Sequence, residues 1–161
     1  MRVLLVGGGC RGRALARLLV RDGHAVRAVT RSEANRAAIE DAGAECWIAD
    51  PDVIGTLRYA LDNVTILVWA LGTARGSAEQ VAALHGPRLE MMLSKTIDTT
   101  VRGVVFEAAG TVAQEVLAAG AAELARICRF NEIPYATVDA DPADERAWTA
   151  AALQAIYGVA A

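Results

Sequence analysis

The run Val3-Leu4-Leu5-Val6-Gly7-Gly8-Gly9-Cys10-Arg11-Gly12 decides the fold. Four consecutive apolar residues read as a strand buried on both faces, and the run stops at three glycines. Gly7, Gly9 and Gly12 satisfy G-x-G-x-x-G. Beyond them Ala14, Leu15, Leu18 and Leu19 share one helical face, while Arg13, Arg17 and Arg21 share another. Strand, glycine loop and helix in that order form a phosphate-binding turn. The first glycine permits the tight turn, the second lets a pyrophosphate approach the backbone, and the third lets the helix pack on the strand. Phosphates then sit at the helix N-terminus, where free N–H groups and the helix dipole favour an anion. Cys10 and Arg11 lie inside this loop and count with Gly7, Gly9 and Gly12 as binding residues.

Outward from the loop, short β-like runs alternate with segments of helical period, the pattern of a parallel sheet with helical crossovers. Strands are expected at about 2–6, 25–30, 45–48, 64–69, 103–106 and 134–138. Asp22-Gly23 closes the first helix, Ser32 caps the second and Gly43 ends it. Further helices are expected at about 52–60, 77–84, 88–97, 113–130 and 143–157, with His85-Gly86-Pro87 as a break and Asp139 or Asp141 capping the last. The fold class is therefore α/β: a doubly wound, parallel six-stranded Rossmann sheet of expected order 3-2-1-4-5-6. Residues 1–161 are read as a single dinucleotide-binding domain with no separate substrate domain.

Composition excludes several classes. The 16 Lys and Arg are interspersed with 19 Asp and Glu for a net charge of -3, so no basic stripe exists to bind nucleic acid. No run of about 18 apolar residues exists to span a membrane. The three cysteines, Cys10, Cys46 and Cys128, are widely spaced and form no C-x-x-C pair. Neither a disulfide framework nor a metal site is expected, and a reducing cytoplasm is the expected setting. Lys95 is the one lysine, so any mechanism that needs a lysine has one candidate.

The end of the second strand bears on which dinucleotide binds. An Asp or Glu there would hold the ribose hydroxyls of NAD, whereas Thr30-Arg31-Ser32 offers hydroxyls and a guanidinium. Arg31 would pair with a 2′-phosphate that a carboxylate would repel. NADP(H) is the expected cofactor, with NAD(H) as the alternative.

From Val3 to Ser32 the chain closely resembles the N-terminal βαβ unit of atypical and extended short-chain dehydrogenase/reductases, the NmrA-like and epimerase-like branches. The likeness continues through Gly43-Ala44-Glu45 into Ala49-Asp50-Pro51-Asp52. It implies that Asp50, with Pro51 beside it, contacts the adenine; Asp50 also reads as an N-cap for the helix expected there. The fourth strand ends in Ala70-Leu71-Gly72, which the resemblance places beside the cofactor ribose. Two departures stand out. The resemblance implies a Tyr-x-x-x-Lys pair, but Met91 stands four residues before Lys95, which precedes the fifth strand. It also implies serines after the fifth strand, where Glu107, Ala108 and Ala109 stand instead.

Two residues remain as catalytic candidates at the carboxyl ends of the strands. His85 reads either as a general acid near neutral pH or as a surface cap at the helix break. Glu107, closing an apolar strand, reads either as a proton carrier or as the partner of an arginine. Two functions follow: a small oxidoreductase or epimerase-like enzyme acting on a small-molecule substrate, or a non-catalytic NADP(H)-binding redox sensor or regulatory subunit. A third reading is a homo-oligomer built on the alanine-rich segments 118–125 and 147–155, with assembly as its only task.

Overall fold

The computed structural model describes residues 1–161. Six strands, β1 (Arg2–Gly7), β2 (Ala25–Thr30), β3 (Glu45–Ile48), β4 (Ile66–Ala70), β5 (Gly103–Glu107) and β6 (Tyr135–Val138), alternate with helical segments. The helices are α1 (Gly9–Arg21), α2 (Arg36–Asp41), α3 (Ala78–Leu84), α4 (Pro87–Thr96), α5 (Gln114–Phe130) and α6 (Glu145–Ala160). All strand pairs are parallel and the order is β3-β2-β1-β4-β5-β6, as expected from the sequence.

Side chains along β1 divide between two cores. Val3 and Leu5 pack with Leu15 and Leu19 of α1 and with Trp148, Ala152 and Ile156 of α6. Leu4 and Val6 pack on the other side with Met92 and Leu93 of α4 and with Leu124 and Ile127 of α5. Successive residues of a strand face opposite sides, so a strand apolar at every position needs helices on both. The chain runs outward through β2 and β3, then returns to the other flank of β1 as β4. That reversal opens a crevice at the carboxyl ends of β1 and β4, the usual ligand position in such a sheet.

Three local expectations are corrected. The helix expected at 52–60 is instead a pair of short 3-10 turns, Ile54–Leu57 and Tyr59–Leu61. The Thr56 hydroxyl donates to the carbonyls of Val53 and Asp50, at 2.7 and 3.0 Å, and accepts from the Asp50 N–H at 2.9 Å. These bonds compete with the helical ladder for the same backbone groups. The last helix is capped by Asp144, which accepts from the Ala147 N–H at 3.0 Å. Asp141 instead accepts from Ala143 two residues on, forming the turn that precedes α6.

His85 is the third correction. It ends α3 at the expected break, with α4 starting on Pro87, yet it is 1% exposed and so is no surface cap. Its Nε2 lies 3.0 Å from the Leu71 carbonyl and its ring meets Phe106 edge-on at 5.7 Å. A carbonyl can only accept, so Nε2 carries the hydrogen and Nδ1 is a bare acceptor, buried without a partner. Burial pushes the imidazole pKa down, partly offset by the bond to Leu71.

Two predictions follow from this packing. Phe106 is fully buried, and Phe106→Ala should cost about 3–5 kcal/mol of unfolding free energy in a urea titration. Because His85 resists protonation in the folded state, stability should be constant above its ordinary pKa of 6.5 and fall as pH drops below it, where the unfolded chain binds the proton. Urea titrations between pH 7.5 and roughly pH 5.5 measure this loss, and His85→Gln should flatten it.

Candidate functional site

Gly7 ends β1 at φ 87°, a conformation that side chains rarely adopt, and a Cβ there would run into the Ala70 carbonyl of β4. Helix α1 starts at Gly9 rather than after Gly12, so half of the glycine loop is already its first turn. No side chain caps this end, and the first N–H groups have no carbonyl of their own helix to bond. A Cβ on Gly9 would meet nothing within 4 Å, which leaves open space over the first turn. At Gly12 a Cβ would lie 3.1 Å from Leu5 Cδ2 and 3.2 Å from the Gly7 carbonyl, the close helix–strand approach expected of the third glycine.

From this turn a groove of about 370 Å³ runs toward β2 and β3. It brings together Gly7, Gly9, Gly12, Thr30, Arg31, Pro51 and Leu71 of the residues singled out from the sequence. Thr30 Oγ1 accepts from Asn35 Nδ2 at 3.0 Å and from the Ser32 N–H at 3.3 Å, which shapes the loop beyond β2. The Arg31 side chain is 60% exposed, with Nη1 3.7 Å from an oxygen of Asp52. Asp50 spends its Oδ1 on the Asp52 N–H at 2.9 Å, and it is Asp52 that lines the groove. The sequence singles out neither Asn35 nor Asp52 as a binding residue, although Asp52 belongs to the stretch that carries the resemblance. Only the Asp50-Pro51-Asp52 turn signal could have pointed to the latter.

The remaining sequence candidates lie off the groove wall. Cys10 is exposed, with its Sγ 3.1 Å from Arg13 Nη2. Ala70 is buried opposite Gly7 in the β1–β4 pairing. Arg11 turns away to the opposite half of the crevice. Its Nε and Nη2 donate to Glu107 Oε2 and Oε1 at 2.9 and 2.7 Å, and Nη2 also donates to Thr73 Oγ1 at 3.2 Å. Glu107 Oε1 accepts a further bond from the Gly72 N–H at 2.6 Å. Glu107 is 1% and Arg11 10% exposed, and the Trp148 ring lies 5.2 Å from the guanidinium carbon. A buried carboxylate is tolerable only when paired and hydrogen-bonded, and here Arg11 and the Gly72 amide supply both. Trp148 was legible only as an apolar helix residue, since nothing local in the sequence pairs it with Arg11.

His85 reaches this region only through the Leu71 carbonyl and has no exposed face. Lys95 belongs to α4 and lines a separate depression beside Trp47 and Arg58. No three His, Cys, Asp or Glu side chains converge where a metal ion would sit. No helix is long and apolar enough to cross a membrane.

The groove matches what comparison with known proteins finds. A family model described as NAD(P)H-binding matches residues 7–159. No curated protein matches the chain significantly. Among solved structures, a putative NAD-dependent epimerase/dehydratase from Bacillus halodurans superposes with a TM-score of 0.72 at 20% identity, over 88% of this chain and 70% of its own. UDP-glucuronic acid 4-epimerase from Bacillus cereus in complex with NAD gives 0.72 at 11%, over 88% and 56%. Triphenylmethane reductase of Citrobacter sp. complexed with NADP(H) gives 0.63 at 16%, over 84% and 48%. The chain spans about half the length of several structures it matches. At these identities the likeness shows the fold, and with the family match it bears out the resemblance read from the first βαβ unit. The glycine loop, the six-stranded order and the family match agree, and the chain belongs to the NAD(P)H-binding family of Rossmann proteins.

Proposed function

We propose that this chain is an NADP(H)-preferring dinucleotide-binding protein that does not turn its cofactor over, and that it acts as a sensor or regulatory subunit. The observation that carries this reading is the state of Glu107. Where the resemblance implies a serine at the end of β5, Glu107 stands with both oxygens engaged by Arg11 and the Gly72 amide. A proton carrier must face its substrate, and Glu107 is 1% exposed with each oxygen already hydrogen-bonded. The tyrosine and lysine of the resemblance are missing as well. A bound nicotinamide would supply a hydride, and neither Glu107 nor His85, each 1% exposed, is open to the crevice to manage the accompanying proton.

The residues of the groove fit the phosphate and adenosine portions of such a cofactor. Gly9 leaves space over the first turn of α1, whose free N–H groups suit a pyrophosphate. Thr30, Arg31 and Ser32 would face the adenosine ribose, with Arg31 exposed enough to reach a 2′-phosphate. Asp52 supports a second reading on the cofactor, NAD(H), because its carboxylate lines the same groove and draws on part of the Arg31 charge. The enzyme reading is favoured by one fact: its structural neighbours include a reductase and epimerases.

Two measurements test these points. Purified protein with NADPH and a panel of flavins, quinones and aldehydes should bind the cofactor without oxidising it; turnover above the protein-free rate would establish an enzyme. Arg31→Asp should weaken NADPH binding by about tenfold or more while leaving NADH within about threefold, because a charge-assisted contact is lost from one ligand alone. Unchanged NADPH affinity would transfer the preference to Asp52 and NAD(H).

A further inference from the structure

We infer that the groove recognises the adenosine diphosphate half of its ligand and leaves the nicotinamide half outside, because Arg11 and the loops beneath it occupy the path that half would take. This rests on the dinucleotide reading above and names the part of the dinucleotide that is bound.

A dinucleotide lies across the carboxyl ends of the parallel strands with its pyrophosphate at the start of α1. The end of β2 meets the adenosine ribose on one side of that point. The second ribose and its ring can then run only the other way, over the ends of β4 and β5. Three features close that route. Arg11 leaves the first turn of α1 and crosses to the end of β5, where it holds Glu107 through two nitrogens and Thr73 through one of them. The loops after β4 and β5 are joined to each other, Gly72 N–H to Glu107 and Val112 N–H to the Gly72 carbonyl at 3.0 Å. They approach so closely that a Cβ on Gly110 would overlap the Gly72 backbone. Finally the guanidinium lies over the ring of Trp148, fully buried on α6, which supports Arg11 in that position.

The groove agrees with this closure. Its lining comes from β1, the glycine loop, α1, β2, the segments after β2 and β3, the loop after β4 and Leu84 of α3, and includes no residue of β5, α5, β6 or α6. To admit the nicotinamide half, Arg11 would have to leave a carboxylate that is 1% exposed, stranding it without its partner. Reduced and oxidised cofactor differ only in the nicotinamide ring, so both should bind alike. The ligand class is then any diphosphate ester of adenosine, and the protein reports the amount of ligand rather than its redox state.

The test uses the full chain and matched pairs: NADPH and NADP with 2′-phospho-ADP-ribose, and NADH with ADP-ribose. In calorimetric titrations each dinucleotide should bind within about threefold of its fragment. Saturation-transfer NMR should label the adenine H2 and H8 protons and spare the nicotinamide protons. A dinucleotide about tenfold tighter than its fragment, or nicotinamide protons labelled as strongly as adenine, would overturn the inference. Failure of all five compounds to bind would instead overturn the dinucleotide reading beneath it. The double variant Arg11→Met with Glu107→Gln opens the path without stranding a charge, and should raise dinucleotide affinity over fragment by about tenfold and bring label to the nicotinamide protons. A folded double variant that keeps the wild-type ratio would show that Arg11 is not the bar. The wild-type measurements decide the matter even if that variant does not fold.

Discussion

Burial of β1 on both faces is the constraint from which the rest of the architecture follows. Val3, Leu4 and Val6 are wholly inaccessible and Leu5 nearly so, which requires a helical layer above and below and a strand on each side. Parallel neighbours satisfy this because each crossover lays a helix on the sheet as it returns. The same central position dictates the glycine at its end. With the β4 backbone hard against Gly7, no side chain fits there and the turn into α1 must be left-handed. The crevice for a ligand is thus a by-product of how the central strand is buried.

A second interaction makes the two halves of that crevice unequal. Arg11 and Glu107 sit ninety-six positions apart in sequence and meet where the loops after β4 and β5 converge. Taken out of water, a carboxylate and a guanidinium tolerate burial only when their hydrogen-bonding capacity is met. Glu107 therefore draws in the Gly72 amide and Arg11 draws in Thr73, and the network ties two loops and a helix start together. The half toward β2 carries no such network and stays open. Of the departures from the dehydrogenase pattern, Glu107, Ala108 and Ala109 fall in this tied half, whereas Met91 and Lys95 lie on α4 away from it.

Much of the fold was legible because it rests on short-range signals. Strand positions, the glycine loop, the Gly43 boundary and the break before Pro87 each depend on side-chain period or backbone freedom within a few residues, whereas Ser32 caps a 3-10 turn, Glu33–Asn35, that leads into α2. The failures share a cause as well. Val53, Ile54, Leu57 and Leu61 carry a helix-like apolar spacing, but the Asp50 and Val53 carbonyls accept from the Thr56 hydroxyl and from amides three residues on instead of building a helical ladder. His85 looked like a surface residue until α3 and α4 folded it against Phe106 and the Leu71 carbonyl. Asp50, which the resemblance places at the adenine, accepts from the Asp52 amide, and it is Asp52 that lines the groove.

By itself, then, the sequence determined the sheet order, the glycine turn after β1 and the chain's membership in an NAD(P)H-binding family, since these follow from periodicity and from where glycine alone can stand. Only the tertiary structure decided which charges meet: that Arg11 serves Glu107 rather than the groove, and that Asp52 rather than Asp50 faces Arg31. Pairing of buried charges depends on distances between residues far apart in the chain, and no local pattern encodes them.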